Sequence, residues 1–317
     1  FTAVAPRITP GTRRMSAASR PAVPSIIDGR AIARDISFDL AKRVNNLVAI
    51  SGGNCRPHFV AIQIGHDPSS SLYAQIKQKA AMKIGVKMTH YKFEDDISKE
   101  ALCEIISELN QNRNIHGIMV QFPLPTGFEH GVIDTIDPQK DVDGLHSLNI
   151  GLLVKKGCTP SFIPCTPKAC VELLVRSHIN ISGAKVTIIG RSNIVGTPVS
   201  HLLNQMDATI TLCHSKTVAI EDVVRSADIV ISCIGIPLFV KGSWFKPGAT
   251  VIDVGIHSIS DPRDESGSII VGDVDTNSGI DHISAITPVP GGVGPVTVAM
   301  IMSNVIYSAE KFHSRIL

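Results

Sequence analysis

Short apolar runs alternate with helix-periodic stripes along most of this 317-residue chain, and that alternation constrains the fold more than any other feature. His58–Ile64 reads as a buried-type strand. The preceding stripe Ile32, Ile36, Leu40, Val44 and Leu47 recurs at helical spacing and ends at Ser51-Gly52-Gly53-Asn54. A second helix is bracketed by Asp67-Pro68 and Gly85. After it come a strand near Met88–Phe93, a helix from Ser98 with Leu102, Ile105, Ile106 and Leu109 inward, and a strand His116–Gln121. Strands alternating with helices imply a parallel sheet with helices on both faces.

Phe122-Pro123-Leu124-Pro125 breaks this series. A short helix near Val132–Ile136 follows, and then the loop Lys140-Asp141-Val142-Asp143-Gly144. Thr166-Pro167 reads as an N-cap with proline at the first helical position, opening a helix through Arg176 that bridges two domains. A second series starts with the strand Lys185–Ile189. Strands near Ala208–Cys213, Asp228–Cys233, Ala249–Val254 and Ile283–Ile286 continue it, and a last helix runs from about Val296 to Phe312. The length suits two domains.

Composition excludes several classes. A net charge of +2 without an arginine-rich run gives no footprint for nucleic acid. No apolar run approaches the roughly 18 residues of a membrane span. The seven cysteines are odd in number and form no Cys-x-x-Cys, and the twelve histidines lack ligand spacing. Free thiols in a reducing compartment and no metal site are therefore expected. Residues 1–24 differ from the rest. They hold Arg7, Arg13, Arg14 and Arg20 ahead of the first acid, Asp28, along with Ser16, Ser19 and four prolines. That composition fits an organellar transit segment, or an unstructured tail.

Four places carry candidate chemistry. Tyr73 and Lys77, four apart on a helix, share one face, so a phenol stands beside an amine able to move protons at a carbonyl or iminium carbon. The bland alternative is a packed tyrosine and a solvated lysine. Gln121 ends a strand, where an amide can hold both an amine and a ligand. Of Asp141 and Asp143, one carboxylate can grip a donor-rich heterocycle, unless both merely belong to a solvated loop. Gly190-Arg191-Ser192-Asn193-Ile194-Val195-Gly196 follows a strand and opens a helix, the context of a phosphate-binding turn. It departs from Gly-x-Gly-x-x-Gly, and a ligand-free βα turn is the alternative. The next strand ends in Cys213-His214-Ser215-Lys216 with no acid before Glu221, which favours NADP over NAD. Tyr-x-x-x-Lys also occurs in short-chain dehydrogenases, but there the glycine turn precedes the pair.

Together the Tyr-x-x-x-Lys helix, Val120-Gln121-Phe122-Pro123-Leu124-Pro125, Lys140-Asp141-Val142-Asp143-Gly144, Phe162-Ile163-Pro164-Cys165-Thr166-Pro167, Gly190-Arg191-Ser192, Val251-Ile252-Asp253-Val254-Gly255-Ile256 and Pro290-Gly291-Gly292-Val293-Gly294-Pro295 resemble the bifunctional methylenetetrahydrofolate dehydrogenase/cyclohydrolase family from about Ile26 to Phe312. Phe122 stands where leucine is usual and Val296 where methionine is usual. The resemblance implies an α/β fold with an N-terminal folate-binding catalytic domain (25–165 and 290–317) and a C-terminal Rossmann domain (166–289). The last helix returns to the first domain.

It further implies oxidation of 5,10-methylenetetrahydrofolate with NADP and hydrolysis of the methenyl product to 10-formyltetrahydrofolate, by a homodimer without an attached synthetase domain. Lys77, Tyr73, Gln121 and Asp143 are the implied catalytic residues. Val120, Phe122, Pro290, Gly291, Gly292, Val293 and Gly294 join them around the folate. Gly190, Arg191, Ser192, Gly196, Ser215 and Ile256 are implied at NADP. The transit-like tail points to the mitochondrion, with cytoplasm or plastid as alternatives. Competing readings are a monofunctional dehydrogenase of the same family, a shikimate-type two-domain dehydrogenase and a non-catalytic nucleotide-binding protein.

Overall fold

The structure is a computed structural model that describes residues 23–128, 131–264 and 267–314. The transit-like stretch lies outside these residues, apart from Val23 and Pro24. The first α/β series comprises β1 (Ser25–Ile26), α1 (Gly29–Ile50), β2 (His58–Ile64), α2 (Pro68–Ile84), β3 (Lys87–Phe93), α3 (Lys99–Gln111) and β4 (Gly117–Val120). β3, β2 and β4 form a three-stranded parallel sheet in that order. Capping explains where the helices start. Asp28 accepts the N–H groups of Arg30 and Ala31, Asp67 accepts that of Ser70, and Ser98 that of Ala101. Gly85 ends α2 at φ 83°, a left-handed cap that glycine adopts without strain. α1 buries Ala33, Ile36, Leu40, Val44 and Leu47, so Ala33 holds the buried place expected of Ile32.

α4 (Ser147–Val154) and α5 (Cys165–Arg176) make the crossing. The expected N-cap at Thr166 is corrected. The Pro164 carbonyl already accepts the Lys168 N–H at 2.9 Å, so the helix opens at Cys165 and Pro167 lies inside its first turn. The second series runs β5 (Lys185–Ile189), α6 (Gly196–Gln205), β6 (Thr209–Cys213), α7 (Ile220–Arg225), β7 (Ile229–Ser232), β8 (Val240–Lys241) and β9 (Thr250–Asp253). β10 (His257–Ser260), β11 (Ser268–Val271), β12 (Val274–Asp275), β13 (Ala285–Ile286) and α8 (Val293–Ser314) complete it. The main sheet is parallel with order β1-β13-β9-β7-β5-β6, while β10 and β11 form an antiparallel hairpin. Ser25–Ile26 therefore lies on the edge of this second sheet, although the residues after it build the first.

α8 begins at Val293, three residues before the expected start, and takes Pro295 into its first turn, where a missing N–H breaks no helical bond. It packs on both α1 and α5. Val296, Val305 and Ile306 on α8 join Phe59 of the first sheet and Ile188 of the second in one buried cluster, so the core is continuous between the sheets. No described helix is long and apolar enough to cross a membrane.

Candidate active site

One cleft of about 850 Å³ opens between the two sheets. Tyr73 and Lys77 reach it from α2, Gln121 from the end of β4, Asp143 from the following loop and Cys165 from the start of α5. Ile256 and Pro290 through Gly294 close the far side. Lys77 and Gln121 are each only 7% exposed, and Lys77 Nζ donates to Gln121 Oε1 at 3.1 Å. Gln121 Nε2 donates to the Ser70 carbonyl, and Ser70 Oγ donates to the Phe122 carbonyl at 3.2 Å. Both ends of the amide are thus assigned, and its oxygen faces the amine. Ser70 was not singled out in the sequence. Its part is mostly played by its backbone, which side-chain type does not disclose.

Burial lowers the Lys77 pKa below the ordinary lysine value, while the Asp143 carboxylate and the Cys165 thiol oppose that shift. Burial pushes half-buried Asp143 up to about 6, and the nearby Lys77 charge restrains it. Burial also raises the Tyr73 phenol, keeping it protonated at neutral pH.

The two neighbouring acids have separate jobs. Asp141 is 1% exposed and accepts the N–H groups of Gly144 (3.0 Å) and His146 (2.9 Å) and the amide of Asn149 (2.9 Å). It is a clamp inside its own loop. Lys140, equally buried, donates to the carbonyls of Leu109, Asn110 and Asn112 at 3.3, 2.6 and 2.8 Å, capping the end of α3. Gly144 has φ 79°, and a Cβ there would meet Ile163 C at 2.5 Å. These three residues shape the loop so that Asp143 faces the cleft.

Val120 is not brought to the cleft. It is 1% exposed, and its side chain packs among Val60, Ile62 and Ile118. Successive strand residues point to opposite faces, so Gln121 and Val120 do not share one. Gly190, Arg191, Ser192, Gly196 and Ser215 stand beyond the cleft wall, at the carboxyl ends of the adjacent strands β5 and β6. Ile194 and Val195 of the same turn line the cleft itself.

Gly190 (φ 120°) packs on the Cys233 carbonyl, and Gly196 packs on the Gly190 carbonyl, each too closely for a Cβ. The turn is thereby held low over β5 and leaves room above it. Ser192 Oγ accepts the N–H groups of Val195 and Gly196 at 3.2 and 3.4 Å, capping the turn from within. The exposed side chains of Arg191 and Ser215 make no hydrogen bond to described residues. Glycine-supported space at a strand end beside free cationic and hydroxyl donors fits a phosphorylated dinucleotide. Among the described residues no group of three or more His, Cys, Asp or Glu is placed to hold a metal.

Comparison with known proteins places this geometry in context. Residues 27–143 match the catalytic domain of tetrahydrofolate dehydrogenase/cyclohydrolase, and residues 164–313 match its NAD(P)-binding domain. Bifunctional protein FolD 2 of Arabidopsis thaliana is 45% identical over 287 residues, covering 90% of this chain and 95% of that protein. Its chloroplastic relative FolD 4 is 43% identical over 290 residues, covering 91% and 80%. The Trypanosoma brucei methylenetetrahydrofolate dehydrogenase-cyclohydrolase, solved with NADP cofactor and inhibitor, superposes with a TM-score of 0.87 at 39% identity, covering 91% of this chain and 98% of that one. The chain belongs to the tetrahydrofolate dehydrogenase/cyclohydrolase family.

Proposed function

We infer that the protein oxidises 5,10-methylenetetrahydrofolate to the 5,10-methenyl cation with NADP and hydrolyses that cation to 10-formyltetrahydrofolate. The observation that carries this reading is the buried Lys77–Gln121 pair, 3.1 Å apart, in the same cleft as Asp143 and the wall formed by Ile256. Gly190, Arg191, Gly196 and Ser215 would hold NADP, which when bound would supply the acceptor for the hydride of the methylene carbon.

The chain's own residues serve the water step. Lys77, whose burial favours the neutral amine, takes a proton from the water that adds to the methenyl carbon. The hydroxyl of that adduct then loses its proton as the formyl carbonyl forms, the ring carbon–nitrogen bond breaks and the ring nitrogen takes up a proton, so that one proton is released overall. Gln121, fixed by the Ser70 carbonyl, keeps the Lys77 nitrogen aimed into the cleft. Asp143 accepts from the ring N–H and exocyclic amine of the pterin, two donors that match its two oxygens. Tyr73, half-buried one turn before Lys77, seats the aromatic ring of the folate. Phe122 and the segment Pro290–Gly294 complete the folate wall.

Homodimerisation and mitochondrial residence are part of the same proposal. The first rests on the family. The second rests on the acid-free basic composition of residues 1–24. The deciding assay follows NADPH and methenyltetrahydrofolate absorbance from methylenetetrahydrofolate, with NADP or NAD supplied. NADPH formation with transient methenyl accumulation is expected. NADPH formation with a stable methenyl product would leave a dehydrogenase alone.

A further inference from the structure

Two carboxylates lie together beneath the cofactor half of the cleft, and the reaction above uses neither. Asp253 ends β9 and lines the cleft at 3% exposure, while Asp273, just before β12, has no exposed surface. Asp253 Oδ1 accepts the N–H groups of Gly255 and Asp273, both at 3.0 Å, and its Oδ2 accepts that of Val274 at 2.9 Å. Asp273 Oδ2 accepts from Ser232 Oγ at 3.1 Å and from the N–H groups of Ile234 and Gly235 at 2.9 and 3.4 Å. Its Oδ1 faces His257 Nε2 at 2.8 Å. Burial pushes Asp253 up to about 7, against the N–H groups of Val274, Asp273 and Gly255, which favour its charged form. Donors face both groups at every oxygen, an arrangement suited to the acceptor-only carboxylate, and for Asp253 that form prevails above about pH 7. The backbone makes way for them as well. A Cβ at Gly255 would strike Asp273 Oδ1, and one at Gly272 would strike Asp253 Oδ2.

The sheet order says what lies above them. In a sheet of this kind the glycine turn after β5 takes the pyrophosphate, and the dinucleotide spans the carboxyl ends of the neighbouring strands. Ser215 follows β6 on one side of β5, so the adenosine half lies there. The nicotinamide half then extends over β7 and β9 on the other side. Asp253 terminates β9, and Asp273 is bonded to the end of β7 through Ser232 and Ile234. The nicotinamide ring is a cation when oxidised and neutral when reduced.

We propose that the Asp253–Asp273 pair is an anionic floor that binds the oxidised cofactor in preference to the reduced one, and so biases the direction of hydride transfer. The proposal rests on the NADP reading above. At an effective dielectric near 20, two unit charges about 12 Å apart attract by roughly 1.4 kcal/mol, which is about tenfold in affinity. It acts on the charged ring alone. A purely structural strut between β9 and residues 272–274 would instead affect every dinucleotide alike.

The test is to titrate NADP⁺, NADPH and 2′-phospho-ADP-ribose, which lacks the nicotinamide, at about pH 8, where Asp253 is charged, against wild type, Asp253→Asn and Asp273→Asn. Hydrolysis of methenyltetrahydrofolate without cofactor verifies that each variant is folded, and either variant alone suffices if the other is not. The expected result is a fall of about three- to tenfold in the Kd ratio of NADPH to NADP⁺. It should come from weaker NADP⁺ binding, with the other two ligands within about twofold of wild type. Equal weakening of all three, or an unchanged ratio, overturns the proposal. Failure of wild type to bind any of the three removes the NADP reading and this inference with it, and that result is distinguishable from a lost ratio.

Discussion

Replacing Lys77 by methionine isolates the proposed proton carrier. Methionine keeps an unbranched stem where the lysine carbons pack and removes only the amine. A positioned acid–base group contributes roughly 10²–10⁴-fold to a rate, or about 3–5.5 kcal/mol of barrier. The 3.1 Å bond to Gln121 makes Lys77 the group that fits this role. The stability change should be small. Gln121 Oε1 loses its donor, at a cost of about 1–3 kcal/mol, but a 7% exposed amine no longer has to be desolvated. NADP affinity should stay within about twofold, because the phosphate turn belongs to β5 in the other sheet. The assay is the decay of methenyltetrahydrofolate absorbance, run beside a thermal melt and an NADP titration. Hydrolysis within tenfold of wild type in a folded variant would falsify the assignment.

Asp143→Asn should raise the folate KM or lower kcat by about 10–150-fold, the range of one charge-assisted bond of roughly 1.5–3 kcal/mol, and leave NADP binding untouched in a direct titration. With Asp143 pushed up to about 6, the folate kcat/KM should fall as pH drops through 6, and the asparagine variant should lose that limb. The same shift has a stability consequence. The folded state holds this proton more tightly than the unfolded value of 3.8, so stability falls as pH rises from about 4 to about 6, and melts of wild type and of Asp143→Asn should converge below pH 4. Ser215→Asp should reverse or erase the preference for NADP by placing a carboxylate beside the 2′-phosphate. Equal kcat/KM for NADP and NAD in the wild type would remove the premise. Gly190→Ala should weaken NADP binding at least tenfold, since its Cβ meets the Cys233 carbonyl at φ 120°. Unaltered affinity by titration would show that the turn does not shape the cofactor site.

Much of this arrangement was legible because local chemistry dictated it. Asp67 and Gly85 bound α2 by capping and by a left-handed φ, so spacing alone puts Tyr73 and Lys77 on one helical face. The strand β2 coincides with its apolar run, His58–Ile64, to the residue. What escaped depends on partners distant in sequence or on short local structure. β1 is two residues long and exists through pairing with Ala285–Ile286, which nothing near it announces. α4 is capped by His146, an uncommon cap, and α7 spans only six residues. The hairpin β10–β11 has no period that separates it from loop. Asp141 and Asp143 looked alike as letters. What separates the clamp from the carboxylate that faces the cleft is Asn149 and Cys165, which fold against them from later segments. Asp253 was legible as part of the Val-Ile-Asp-Val-Gly-Ile run, but its burial with Asp273 was not.

The division of labour across the cleft follows from where its walls come from. Lys77, Gln121 and Asp143 all descend from the first sheet and its crossing loop, and their mutual geometry is set by Ser70, Lys140 and Asp141 without any residue of the second sheet. Gly190, Ser215 and Asp253 belong wholly to the second sheet. α8 packs on α1 and α2 of the first half and on the crossing helix α5, which in turn packs on α6 of the second, and its first turn carries Val293 and Gly294 to the cleft wall. Hydrolysis should therefore survive a damaged cofactor turn, whereas oxidation needs both walls in register. Arg43 and Glu310 join α1 to α8 by two bonds of 3.0 and 2.6 Å, but both side chains are about one-third exposed, so the pair adds little. The register rests instead on buried contacts such as Val296, Val305 and Ile306. A cavity cut there, by Ile306→Ala for instance, removes about 2–5 kcal/mol of packing. It should cost the dehydrogenase more than the cyclohydrolase, because only the former spans the seam that α8 closes.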